Sequence, residues 1–181
     1  MIINWYGNGC YKVQASGFDI VIDPESSQSG SRLKGNLTLH TVSPFPVTPE
    51  ETEIVGPGEY EVSGVVIRGA SAAETTPSEL HTIYRVVVDD LQLGFLGNTG
   101  VEMGEKELDM LGEIDILFVP SNDIGAKLIK SVGPKMVVPG WGDPMKIAKD
   151  MGVKPEPQEK LVVKKKDLEE VEGLKVVILE S

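Results

Sequence analysis

The sequence holds one cysteine and two histidines in 181 residues. The lone thiol, Cys10, has no internal disulfide partner, so a reducing compartment, the cytoplasm, is its expected home. His40 and His81 stand far apart and alone, so no His/Cys cluster with metal-site spacing is written into the chain. Basic residues are also few. Seventeen Lys and Arg against 28 Asp and Glu leave a formal charge of −11. That argues against nonspecific nucleic-acid binding, which needs a basic face. No apolar run nears the roughly 20 residues of a membrane-spanning helix. Met1–Asn4 has neither a basic leader nor a long apolar core, so no signal peptide is expected. What remains is an ordinary globular composition, 40% hydrophobic and 25% charged, whose length suits one domain over residues 1–181.

The chain is organised around Leu91–Pro120. Leu91–Leu96 is a short apolar run, broken by Gly97-Asn98-Thr99-Gly100. Leu108 and Leu111 lie three apart on one face of a predicted helix over Glu105–Leu111, which Gly112 can end. Asp115–Val119 is a second apolar run, closed by Pro120. Strand, Gly-rich loop, helix and strand make a parallel pair in a layered α/β fold. Ligands in such folds collect at the carboxyl ends of the strands, here at Asn98 and at Ser121-Asn122-Asp123.

Around that unit the pattern is mostly β. Ile2–Tyr6, Tyr11–Ala15 and Phe18–Ile22 read as strands with Gly7-Asn8-Gly9 and Ser16-Gly17 between them. Glu25–Asn36 is a polar loop. Leu37–Val42 reads as one strand, leaving through a stiff loop, Ser43–Val47. Thr48-Pro49-Glu50-Glu51 has the form of a capping box with Pro at the first helical position, predicting a helix of about one turn. Ile54–Ala70 holds two or three β segments, and Ala70–Leu80 reads as a flexible loop. Asp89-Asp90 suits a two-residue hairpin between Thr82–Val88 and Leu91–Leu96. Asn122 or Asp123 can cap a helix over Ile124–Val132, ended by Gly133. Met136–Val138 is a strand, and Asp143-Pro144 opens a helix that Gly152 ends. Leu161–Val163 and Leu174–Leu179 are strands around the charged run Lys164–Gly173.

Few residues point to chemistry by type alone. Cys10 reads as a buried structural thiol, and no spacing supports a Cys10–His40 nucleophile pair. Asp123 and Asp143 are explained by helix capping. Gly97–Gly100 could offer N–H groups to an anion or simply turn the chain. Trp141, set between two glycines, either caps a core or lines a pocket.

Several stretches together resemble the metallo-β-lactamase superfamily, in its zinc-dependent hydrolase and ascorbate-phosphate lactonase-like branch. They are Trp5–Tyr11 (WYGNGCY), Ile22-Asp23-Pro24, Gly56–Val62 (GPGEYEV), Val65–Gly69, Thr82-Ile83-Tyr84, Leu96–Gly100 (LGNTG), Asp115–Pro120 and Pro134–Pro139, in family order over nearly the whole chain. The resemblance implies an α/β fold, an αββα sandwich with its site along one edge at the strand ends. It also implies a dinuclear metal site whose ligand positions this chain fills otherwise. Val42, Pro44, Pro46 and Val47 stand in the His-x-His-x-Asp-His register. Asn98 replaces a bridging aspartate, Trp141 a late histidine, and Glu74 falls near a middle histidine. Asn8 stands where the family often has histidine. His40, two residues before Val42, is expected on the same side of its strand. His40, His81, Glu74 and Asp123 are the remaining candidates for a rebuilt site.

The first expectation is therefore a fold that has lost its dinuclear site, with no cofactor, serving as a non-catalytic module that binds a small molecule or protein. The second is a hydrolase with an atypical or single-metal site, zinc being the natural ion. The third is a structural subunit. In the first reading the cleft is partly plugged by Trp141, with Asn8, Asn98 and Asn122 beside it and Phe45 and Val47 facing it.

Overall fold

A computed structural model describes residues 1–25 and 33–181. In chain order the elements are β1 (Ile2–Trp5), β2 (Tyr11–Ala15), β3 (Phe18–Ile22), β4 (Leu37–His40), β5 (Val42–Pro44), β6 (Glu53–Val55), β7 (Gly58–Val62), β8 (Val65–Ser71), β9 (Glu79–Val88) and β10 (Leu91–Phe95). There follow α1 (Glu105–Leu111), β11 (Ile116–Pro120), α2 (Asp123–Val132), β12 (Met136–Gly140), α3 (Pro144–Asp150), β13 (Leu161–Val162), α4 (Lys165–Glu169) and β14 (Lys175–Val176).

Two sheets form a mixed α/β sandwich. The smaller has the order β13-β1-β2-β3-β4-β6, and the larger β14-β12-β11-β10-β9-β8-β7, with β5 paired to the start of β9. Alternation sorts the faces. In β2, Tyr11, Val13 and Ala15 are buried while Lys12 and Gln14 are not. β11 is buried at every position, as befits a central strand of the parallel part of the sheet. The inner core between the sheets includes Ile3, Tyr11, Val13, Leu39, Ile67, Val86, Leu93 and Phe118. A second core, with Leu111, Leu117, Val119, Leu128 and Ile147, lies on the other face of the larger sheet under the helices. Each such aliphatic or aromatic side chain contributes about 1.5–3 kcal/mol on burial.

The hairpin at Asp89-Asp90 forms with both residues at positive φ, 52° and 61°, as a two-residue turn with matching twist requires. α1 spans the expected residues and ends at Gly112. α2 is capped by Asn122 rather than Asp123: the Asn122 Oδ1 accepts from the Gly125 N–H at 2.8 Å.

Other expectations give way to tertiary contacts. The strand over Leu37–Val42 breaks at Thr41. Its carbonyl accepts from the Thr82 N–H at 2.8 Å, so the chain leaves the smaller sheet there and joins the larger one as β5. Ser43 and Pro44, expected in the stiff loop, thus belong to a strand with Val42. No helix forms at Thr48–Glu51. The Glu53 N–H bonds the Glu50 carbonyl and the Glu53 carboxylate accepts from the Glu50 N–H, both at 3.0 Å, making a turn that feeds β6. The segment between β8 and β9, expected to be flexible, is tied by Thr75, whose hydroxyl donates to the His81 carbonyl and accepts from the His81 N–H. The polar loop expected over Glu25–Asn36 falls in part on residues 26–32, outside the described residues.

Candidate functional site at the strand ends

The carboxyl ends of β3, β4, β10, β11 and β12 come together along one edge. Asp23 closes β3, and its carboxylate holds Thr41 twice: Oδ1 accepts from the Thr41 N–H at 2.6 Å and Oδ2 from the Thr41 hydroxyl at 2.5 Å. Burial pushes the Asp23 carboxyl up to about 6, against the opposing pull of the Thr41 bonds and the nearby His40. Thr41 is buried, and its side chain lies against Gly97, where any Cβ would crowd its hydroxyl. The inward residues of this segment are therefore Leu37, Leu39 and Thr41. His40 and Val42 do share the other parity, and it faces away from the strand ends. His40 meets Glu53 at 3.3 Å, and exposed Val42 lies opposite His81 on β9.

The turn after β10 is held from outside. The Glu74 carboxylate accepts from the Thr99 hydroxyl at 2.7 Å and from the Gly100 N–H. Asn122 donates to the Thr99 carbonyl at 3.0 Å while capping α2. The Ser121 hydroxyl donates to the Gly140 carbonyl at 2.8 Å. Asn98 itself is exposed.

Trp141, just beyond β12, has φ 48°, a left-handed conformation rare for a bulky residue. Its indole sits on Gly9, where a Cβ would overlap the ring. Tyr11 meets it edge-on with centroids 6.2 Å apart, and Tyr11 and Phe95 both pack on Phe118, at 4.7 and 4.4 Å. Beside this column burial pushes the Cys10 thiol up to about 12, helped by the charges of Asp23 and Glu25. A thiol so shifted is protonated at neutral pH and is no nucleophile.

The structure thus brings Trp141 onto the turn that carries Asn8, and Glu74 onto the turn that carries Asn98. Asn8 donates to Glu25 at 2.8 Å. It does not bring the histidines into this arrangement. His81 pairs with Glu79 at 2.8 Å. Asp123 pairs with Lys146, and both line a cavity with Gly100, Ser121 and Asn122 at the strand ends. Pro44 lies on β5 opposite Glu79; Pro46 is exposed and Val47 partly buried after it. Phe45 is exposed, its N–H bonded to the Ser78 carbonyl. Asp143 caps α3, accepting from the Met145 N–H. Asp23, Thr41 and Tyr11 were not singled out as site residues by sequence. The available signal was the apolar parity Leu37, Leu39, which continues to Thr41.

The sequence pattern of the beta-lactamase superfamily domain matches residues 2–140, and the chain belongs to that family. No curated protein sequence matches it. Among solved structures it is similar to a protein provisionally named a Zn-dependent hydrolase of the metallo-beta-lactamase superfamily, from Thermotoga maritima, with TM-score 0.78, 20% identity and full coverage of both chains. A protein provisionally named a metal-dependent hydrolase, from Parabacteroides distasonis, gives TM-score 0.66 at 21% identity over 98% of this chain and 93% of its own. A metallo hydrolase from Ignicoccus hospitalis gives 0.66 at 13%, over 99% and 94%. At these identities the likeness is one of fold.

A metal ion, which the family implies, does not suit the residues at this edge. Among the described residues no three His, Cys, Asp or Glu side chains gather as a ligand group. Residues 26–32, SSQSGSR, contain none of these types. The carboxylates at this edge already have partners: Asp23 has Thr41, Glu74 has Thr99 and Gly100, Glu25 has Asn8, and Asp123 has Lys146.

Proposed function

We propose that this member of the superfamily is a non-catalytic binding or interaction module, its one domain built on a hydrolase fold without a dinuclear metal centre. The observation that carries this reading is the use of the strand-end polar groups. Asp23, Glu74, Ser121 and Asn122 each bond backbone of a neighbouring segment, so they hold loops where ligands would hold metal. Catalysis by a metal hydrolase needs a cation to polarise the substrate and deprotonate a water, and a catalytic zinc usually has three protein ligands. Val42, Pro44, Pro46 and Val47 have no donor side chain, Trp141 offers one N–H donor, and Asn98 is neutral. The same edge suits a neutral polar group, met by the exposed amide of Asn98.

The test is elemental analysis of tag-free protein purified without chelator and dialysed. The expected result is zinc, iron and manganese each far below one ion per chain. Retention of about one equivalent or more would overturn the proposal and favour a hydrolase with an atypical metal site.

A further inference from the structure

The outer face of the larger sheet has a charge arrangement unrelated to the strand ends. The chain contains three arginines, Arg32, Arg68 and Arg85. Two of them are direct cross-strand partners, Arg68 on β8 opposite Arg85 on β9. Like charges in that position repel and cost stability. The row across the sheet runs Glu59, Arg68, Arg85, Gly94. At one end Glu59 reaches the Arg68 Nε at 3.3 Å, with both side chains half or more exposed. At the other end Gly94 contributes no side chain. Arg85 has no carboxylate partner among the described residues. It donates to the neutral Gln92 amide through one Nη, and its Nε is buried without a hydrogen-bond partner. Residues 26–32 include no acid.

These two guanidinium groups line a cavity of about 230 Å³ with Val66 and Val87, the next cross-strand pair on the same face. Paired forks suit an oxyanion, because a guanidinium presents two parallel N–H donors to two oxygens. The valines beside them suit hydrocarbon. The net charge of −11 does not forbid an anion there: charges are screened within about 8 Å at physiological ionic strength, so the two adjacent cations dominate.

We propose that the Arg68–Arg85 groove binds a small amphiphile with an oxyanion head, carboxylate or phosphate, on a short apolar stem. The head lies between the guanidinium groups, relieving their repulsion, and the stem covers Val66 and Val87.

Hexanoate and hexyl phosphate are the probes, titrated at constant ionic strength into the full chain while amide and arginine Nε–H resonances are followed. The expected result is a saturable shift at the Arg68 and Arg85 Nε–H and the Val66 and Val87 amides. Whichever probe binds more tightly assigns the head as carboxylate or phosphate. Acetate, without the stem, and hexanol, without the head, should each bind at least about tenfold more weakly. Arg85→Lys keeps the charge but loses the fork, so binding should weaken about tenfold. Arg68→Lys gives the same test should Arg85→Lys fail to fold. The proposal is overturned if neither probe gives a saturable shift at these residues, if hexanol binds as well as hexanoate, or if the lysine variant that folds binds as well as the parent.

Discussion

Two polar regions of this molecule behave in opposite ways. At the strand ends, Asp23, Glu74, Ser121 and Asn122 are all bonded to backbone of neighbouring segments. On the outer face of β8 and β9, two arginines face each other, Arg68 partnered by one exposed carboxylate and Arg85 by one amide. The first region is stitched and the second is open. A side chain that already satisfies a buried backbone group is expensive to recruit for anything else, since breaking the bond leaves that group unpaired. Polar residue type alone therefore does not mark a site; what matters is whether the polar atoms are already in use.

The largest test of the stitched edge is its aromatic plug. Trp141→Ala should cost about 2–3 kcal/mol in urea or thermal unfolding. That is less than the 3–5 typical of fully buried aromatic truncations, because the ring is partly exposed. A change under about 0.5 kcal/mol, the range of ordinary surface substitutions, would mean that the ring lies on the edge rather than closing it. Next comes Glu74→Ala, which leaves the Gly100 N–H without its acceptor and the Thr99 hydroxyl with only the Val101 carbonyl, at 3.2 Å. A loss of about 1–2 kcal/mol is expected, with faster amide exchange confined to the Asn98–Val101 turn. Unchanged exchange there would show that the turn stands without Glu74.

A further effect concerns pH. The Asp23 carboxyl is raised from 3.8 to about 6 in the folded chain. The folded state therefore binds the proton more tightly than the unfolded state. Its stabilising contribution is full below the unfolded value, near 3.8, and is lost as pH rises through about 6. Asp23→Asn removes the titration. The stability of the parent relative to Asp23→Asn should improve as pH falls from 7.5 toward 4.5, measured by urea unfolding at each pH; a constant difference would contradict the shift. The smallest effect belongs to Asn98→Ala, expected to change stability by less than about 0.5 kcal/mol, since the residue is exposed and its side chain bonds none of the described residues. A larger loss would place Asn98 among the stitches and remove it from the binding surface.

Much of this fold was legible in the chain because its signals are local. Period-two alternation in Tyr11–Ala15, the Asp89-Asp90 turn, and α1 and α2 with their glycine stops depend on residues close in sequence. The motifs Gly56–Val62 and Leu96–Gly100 similarly sufficed to suggest the superfamily, and with it the strand-end edge. The scarcity of histidine and cysteine is likewise plain in the chain, two of the one and one of the other, whereas the 28 carboxylates leave the ligand question to their placement.

Only the tertiary structure decided which side chains meet. Leu37–Val42 has the pattern of one strand, but Thr82 and Asp23 divide it at Thr41. That division turns Thr41 toward the strand ends and leaves Val42 exposed. Thr48–Glu51 carries a helix-start pattern that one turn of helix is too short to sustain, nucleation being costly, and the following residues are taken up by β6. Arg68 and Arg85 are 17 residues apart with nothing local to link them, and the register between β8 and β9 makes them neighbours. Composition sets which chemistry the chain can carry; long-range pairing sets where it is carried, because a register slip of one residue moves every side chain to the other face.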